Sequence, residues 1–145
     1  MDGGDGGGDL DVCEALDAVV AAARHAIDGR ARLVRSYTPV PRARGNRRDL
    51  ESVFLGLLLN ACRAIEEAGQ AGSESGRIIW LRVELEGCDV QVSIADTGAG
   101  MAPEHAFGLA ASRRIVRQLG GELSAWSVLG SGSTFRVRIP AAPSS

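Results

Sequence analysis

Val90-Gln-Val-Ser-Ile-Ala-Asp96-Thr-Gly-Ala-Gly-Met101 alternates apolar with small or polar residues as far as Ile94, then breaks into a carboxylate followed by two glycines one residue apart. The alternation is that of a strand with one buried face. A carboxylate at its end can accept a hydrogen bond from a purine amino group, while backbone without side chains closes on the rest of the ligand. The segment therefore reads as a strand ending in a nucleotide-binding loop. Only six residues, Ala102 to Phe107, separate this loop from Gly108.

Upstream, Ile79, Leu81, Val83 and Leu85 alternate in the same way, and Glu86-Gly-Cys-Asp89 is a tight turn, so the two runs form an antiparallel hairpin ending at Asp96. Before them, Leu50, Val53, Phe54, Leu57, Ala61 and Ile65 form the apolar stripe of a helix from about Leu50 to Ala68, closed by Gly69. A first helix is expected from Cys13 through Leu16, Val19, Val20 and Ala23 to Ile27, stopped by Gly29, followed by a strand over Arg32 to Thr38. The basic stretch Arg42 to Arg48 reads as a solvated loop and helix start. Downstream, a third helix is expected from about Leu109 to Leu119, with Ile115 and Val116 inward and Arg113, Arg114 and Arg117 outward. Two strands, Glu122 to Val128 and Ser133 to Ile139, complete the pattern. The expectation is an α/β (α+β) fold: a two-layer α/β sandwich with a mixed, mostly antiparallel sheet and three helices on one face.

The chain has 145 residues, 45% of them apolar, which matches one domain with one continuous core. That domain is expected over residues 9–140, with a Gly/Asp-rich flexible segment at 1–8 and a disordered Pro/Ser tail at 141–145. Sixteen basic and eighteen acidic side chains give a net charge of −2, so no field of one sign is available for a nucleic-acid backbone. Cys13, Cys62 and Cys88 are odd in number and widely spaced, matching neither a disulfide framework nor a zinc site, and are expected as buried thiols. With no membrane-spanning run and no signal-like N-terminus, the expectation is a soluble, cytoplasmic protein.

On the second helix, Gly56, Asn60 and Arg63 share one face. Asn60 offers a neutral oxygen suited to a magnesium ion, and Arg63 can pair with a phosphate. Alone, these residues describe a solvated helix face as readily as a site. Taken in order, Asn60-Ala-Cys-Arg63-Ala, Asp96-Thr-Gly-Ala-Gly-Met101, Gly108-Leu-Ala-Ala-Ser-Arg-Arg-Ile-Val-Arg-Gln-Leu-Gly-Gly121 and Gly130-Ser-Gly-Ser-Thr-Phe135 resemble the N, G1 and G2 boxes and closing strand of the ATP-binding domain of sensor histidine kinases. That domain is shared with gyrase-type topoisomerases, heat-shock chaperones and mismatch-repair ATPases.

The resemblance implies roles residue by residue. Asn60 matches the Mg²⁺ ligand, Arg63 a phosphate contact, and Asp96 the acid that reads the adenine amino group. Gly98, Gly100 and Met101 match the loop passing the base. Gly108 and Leu109 match a Gly-Leu whose helix-start amides meet phosphates, and Thr134 matches a threonine at the adenine end. No residue of the chain is assigned as catalytic. The implied activity is phosphoryl transfer from Mg-ATP to a histidine on a separate helical-hairpin domain, with a response regulator as a further partner.

The sequence departs from the family pattern in two places. The six residues before Gly108 are too few for the usual lid, with Ala106-Phe107 where a first Gly-Leu would stand. Gly56 replaces the carboxylate that activates water in hydrolytic members, leaving no general base on this helix. His25 lacks the acidic neighbour of an acceptor histidine, and His105 reads as a helix-start residue, so neither is expected as the phosphoacceptor. Two alternatives accompany this reading: a degenerate kinase-like scaffold without turnover, and a serine kinase of the anti-sigma-factor type. With no exposed apolar stripe evident, the chain is expected to be a monomer.

Overall fold

The alternating segments pair as a five-stranded sheet in the computed structural model, which describes residues 8–67, 77–98, 107–128 and 131–143. In chain order the elements are β1 (Asp9–Leu10), α1 (Val12–Ala22), α2 (Arg24–Ile27), β2 (Arg32–Tyr37), β3 (Ala43–Arg44), α3 (Arg47–Glu67), β4 (Ile78–Glu86), β5 (Asp89–Asp96), α4 (Phe107–Gln118), β6 (Glu122–Val128) and β7 (Gly132–Pro140). The sheet order is β2-β4-β5-β7-β6, so β5 is the middle strand. β2 runs parallel to β4, and the other neighbours are antiparallel.

Period-two alternation sorts the side chains. Ile79, Leu81 and Val83 of β4, Val90, Val92 and Ile94 of β5, and Phe135, Val137 and Ile139 of β7 are buried against the helical layer. α3 meets them with Leu50, Val53, Phe54, Leu57, Leu58, Ala61, Cys62, Ala64 and Ile65. Phe54 is fully buried, and truncating such a side chain to alanine costs about 3–5 kcal/mol. α1 packs on α3, and α4 packs on α3 and β6, all on the same side of the sheet. This is the two-layer α/β arrangement expected from the sequence, with β4–β5 as its central hairpin, turned at Gly87 with φ of 64°.

Helix starts follow local chemistry. The Asn46 side chain accepts a hydrogen bond from Asp49 N–H at 3.1 Å, which starts α3 three residues earlier than the apolar stripe alone suggests. Asp11 caps α1 through Glu14 N–H at 3.0 Å.

Three expectations are corrected. The first helix is broken at Ala23, where φ is −99° and ψ is 11°, and the four-residue α2 that follows buries Ile27. The basic stretch is more than a solvated loop: Ala43 and Arg44 pair antiparallel with Leu10 and Asp9, and Leu10 and Ala43 are buried. A two-residue bridge is too short to leave any periodicity in the sequence. Cys88 is exposed because it occupies the β4–β5 turn, whereas Cys62 is buried and Cys13 half-buried. Past β7, Ala141 bridges Ala43, and Ala142 N–H donates to the Arg42 carbonyl at 2.7 Å.

Candidate functional site

Asp96 is the one acidic side chain among the buried polar residues described, 5% exposed at the end of the middle strand. Alternation puts it on the same side as Val90, Val92 and Ile94, so its carboxyl points into the helical layer. Its Oδ1 accepts a hydrogen bond from Gly98 N–H at 2.7 Å, and Ser133 backbone N–H also donates to the carboxyl. Oδ2 is buried with no hydrogen-bond partner among the described residues. Burial pushes the carboxyl up to about 6 from its ordinary 3.8, against the two backbone donors that favour the anion. The result is a carboxylate held in place by one oxygen, with the other available to a donor.

Two glycines allow this packing. A Cβ on Gly98 would lie 2.5 Å from the carbonyl carbon of Ala64 on α3, so only glycine lets the strand end press against the helix. Gly132 has φ of 125°, and a Cβ there would meet the Asp96 carbonyl oxygen. Thr97 secures the other edge: Ile78 N–H donates to its Oγ1 at 3.0 Å.

The Gly98–Ala64 contact brings the Asp96 strand end to the part of α3 that carries the other candidates. Asn60 lies one turn before Ala64 and is half-buried, and Arg63 is exposed beside it. Asp96 also acts on the thiol of Cys62 between them, which burial raises first, with Arg30 lowering it and Asp96 and Glu66 raising it further. Asp96, Gly98, Asn60 and Arg63 therefore belong to one region where the middle strand meets α3. Gly108 lies in the first turn of α4. Leu109 is buried, so only its backbone is available there to a ligand. Gly100 and Met101 lie outside the described residues.

Thr134 is not brought to Asp96. It alternates with Ser133 on β7 and lines the opposite face of the sheet beside Ala95, whereas Ser133 is buried in register with Asp96. Ser133 and Ala64 are site neighbours that motif reading missed. The signal for Ser133 was present, because Phe135, Val137 and Ile139 place every odd-numbered residue of that strand inward. Nothing in the sequence marks Ala64, whose role is a contact.

Residues 45–143 match the family described as histidine kinase-, DNA gyrase B- and HSP90-like ATPase. The chain belongs to that family. It is 33% identical over 107 residues to the sensor histidine kinase ZraS of Escherichia coli strain K12, a match covering 63% of this chain and 21% of ZraS, so the chain spans about a fifth of that relative's length. Its fold is similar to the mycobacterial sensor histidine kinase MprB, with TM-score 0.75 and 19% identity over 95% of this chain and 99% of that one. The catalytic domain of histidine kinase ThkA superposes with TM-score 0.77 at 18% identity, over 95% of this chain and 99% of that one. Acinetobacter baumannii histidine kinase AdeS matches with TM-score 0.71 and 24% identity over 94% of this chain and 68% of that one. Among the described residues no helix is long and apolar enough to cross a membrane.

Proposed function

We propose that the chain is the ATP-binding catalytic domain of a two-component sensor histidine kinase, transferring a phosphoryl group from Mg-ATP to a histidine on a separate helical-hairpin domain. The observation that carries this reading is the buried Oδ2 of Asp96, an acceptor without a donor among the described residues. The exocyclic amine of adenine supplies that donor, whereas the guanine carbonyl at the same ring position would set acceptor against acceptor.

Asn60 would hold the magnesium ion through its neutral oxygen, the ion's remaining ligands being phosphate and water, and the bound ion would neutralise triphosphate charge. Arg63 and the first-turn amides of α4 at Gly108 and Leu109 would hold phosphates. Gly100 and Met101 would continue the loop past the base. Catalysis in such a domain is mostly positioning and charge neutralisation, so no general base is needed from this chain. His25 is exposed on the short α2, which packs against α3, and its lack of an acidic neighbour supports an acceptor histidine on another domain. A response regulator would receive the phosphoryl group next, and a cytoplasmic location would supply the ATP.

Calorimetric titration tests the first step. Heat on adding Mg-ATP or Mg-ADP to the protein, lost in Asp96→Ala, supports the reading, and its absence with the unsubstituted protein overturns it.

The six-residue interval before Gly108 favours a second reading, a kinase-like scaffold that docks on a signalling partner without turnover. Radiolabelled ATP with a supplied acceptor hairpin domain separates the two. Transfer of label to the acceptor histidine excludes the scaffold, and nucleotide binding without transfer excludes the kinase.

A further inference from the structure

All the described helices lie on one side of the sheet, and the other side carries the chain's two tryptophans. Register places Val34, Trp80, Ala95, Thr134 and Trp126 in one row across all five strands. The adjacent row on this face is Ser36, Arg82, Ser93, Arg136 and Ser124. Trp80 is 41% exposed and Trp126 52% exposed, an unusual state for side chains that dominate core and interface energetics. Between them the floor is small, with Ala95, Ser93 and Thr134 lining a depression of about 330 Å³.

The charge on this floor is net positive. The Arg136 guanidinium stacks over Trp126 at 4.7 Å from the ring centroid, and its Nε is buried with no partner among the described residues. Arg82 stands in the same row, separated from Arg136 by Ser93, and forms no ion pair among the described residues. Glu84, on the same face, accepts a hydrogen bond from the neutral Gln91 amide at 3.2 Å and keeps its charge, which leaves two guanidiniums against one carboxylate.

Width selects the shape of the occupant. Trp80 on β4 and Trp126 on β6 are three strand spacings apart, roughly 14 Å. An α-helix with its side chains measures about 10–12 Å across, comparable to this span, so one helix lying over the row would cover Ala95 and Thr134 with its apolar stripe. We propose that this face docks an amphipathic helix of a partner protein, whose apolar stripe lies between Trp80 and Trp126 and whose flanking carboxylates pair with Arg82 and Arg136. A single-stranded nucleic acid would need a longer positive groove than two arginines provide in a chain of net charge −2.

Because both tryptophans lie on this face, intrinsic fluorescence reports on it directly. The full chain is titrated with a helical peptide of about 20 residues with leucines at helical spacing and glutamates beside them, and with its counterpart carrying lysines for glutamates. The expected result is a saturable blue shift with the glutamate peptide and at least tenfold weaker binding of the lysine peptide. Preference is expected to reverse in the Arg82→Glu, Arg136→Glu double variant, with adenine-nucleotide binding unchanged. Trp126→Ala, on an edge strand, should weaken the glutamate peptide about tenfold with unchanged circular dichroism. No shift with the glutamate peptide at millimolar concentration, or equal shifts with both peptides, overturns the proposal. So does a saturable response to oligothymidine alone, or a concentration-dependent shift without peptide accompanied by dimers in sedimentation.

Discussion

Gly98 presses against Ala64 so closely that a Cβ on the glycine would lie 2.5 Å from the alanine's carbonyl carbon and 2.7 Å from its Cβ. This contact joins the end of the middle strand to the helix carrying Asn60 and Arg63. Gly98→Ala therefore has to push the loop off α3. A destabilisation of about 1–3 kcal/mol is expected in urea unfolding, and nucleotide affinity is expected to fall by more than tenfold. Ala64→Gly removes only the Cβ and leaves the carbonyl group in the way, so combining the two is not expected to restore the affinity, as a double-mutant cycle would read.

The pH dependence of Asp96 has a definite sign. A carboxyl raised to about 6 in the folded chain from 3.8 favours folding through its protonated form. That contribution is fully present below about pH 3.8 and is lost as pH rises through about 6, a change of up to about 3 kcal/mol. Asp96→Asn is expected to flatten this part of the stability–pH curve and to raise stability at pH 7, measured by urea unfolding across pH 4–8.

Nucleotide binding should follow the opposite course. The adenine amine bonds the ionised carboxylate better than the acid, so affinity is expected to rise as pH increases through about 6. Calorimetric titration from pH 5 to pH 8 checks it, and ATP should be preferred to GTP throughout.

Gly56 is exposed on α3, and a Cβ there would meet nothing within 4 Å among the described residues. Close packing does not explain this glycine. Gly56→Ala is expected to stabilise the protein by about 1 kcal/mol, read as a higher urea midpoint at unchanged slope.

Ser133 and Thr134 are adjacent in sequence but face opposite ways. Ser133→Val places two methyl groups in the buried row beside Asp96 and is expected to weaken nucleotide binding at least tenfold. Thr134→Val changes the open face and should leave nucleotide affinity within about twofold, since its side chain and that of Asp96 are separated by the sheet.

Much of this architecture was legible in the chain itself. Alternation over Ile79–Leu85 and Val90–Ile94 defined the hairpin, and the stripe from Leu50 to Ile65 defined α3, because periods of two and 3.6 are local properties of backbone geometry. The carboxylate at Asp96 and the glycines around it could be picked out for the same reason, as a strand end and a loop without side chains. Tertiary structure decided which of these groups meet. Ala64 against Gly98, Ser133 rather than Thr134 beside Asp96, and the Leu10–Ala43 bridge all depend on register and on packing between segments far apart in sequence. The raised pKa of Asp96 belongs to the same class, because desolvation is produced by the layers that close over a side chain and does not exist in the extended chain.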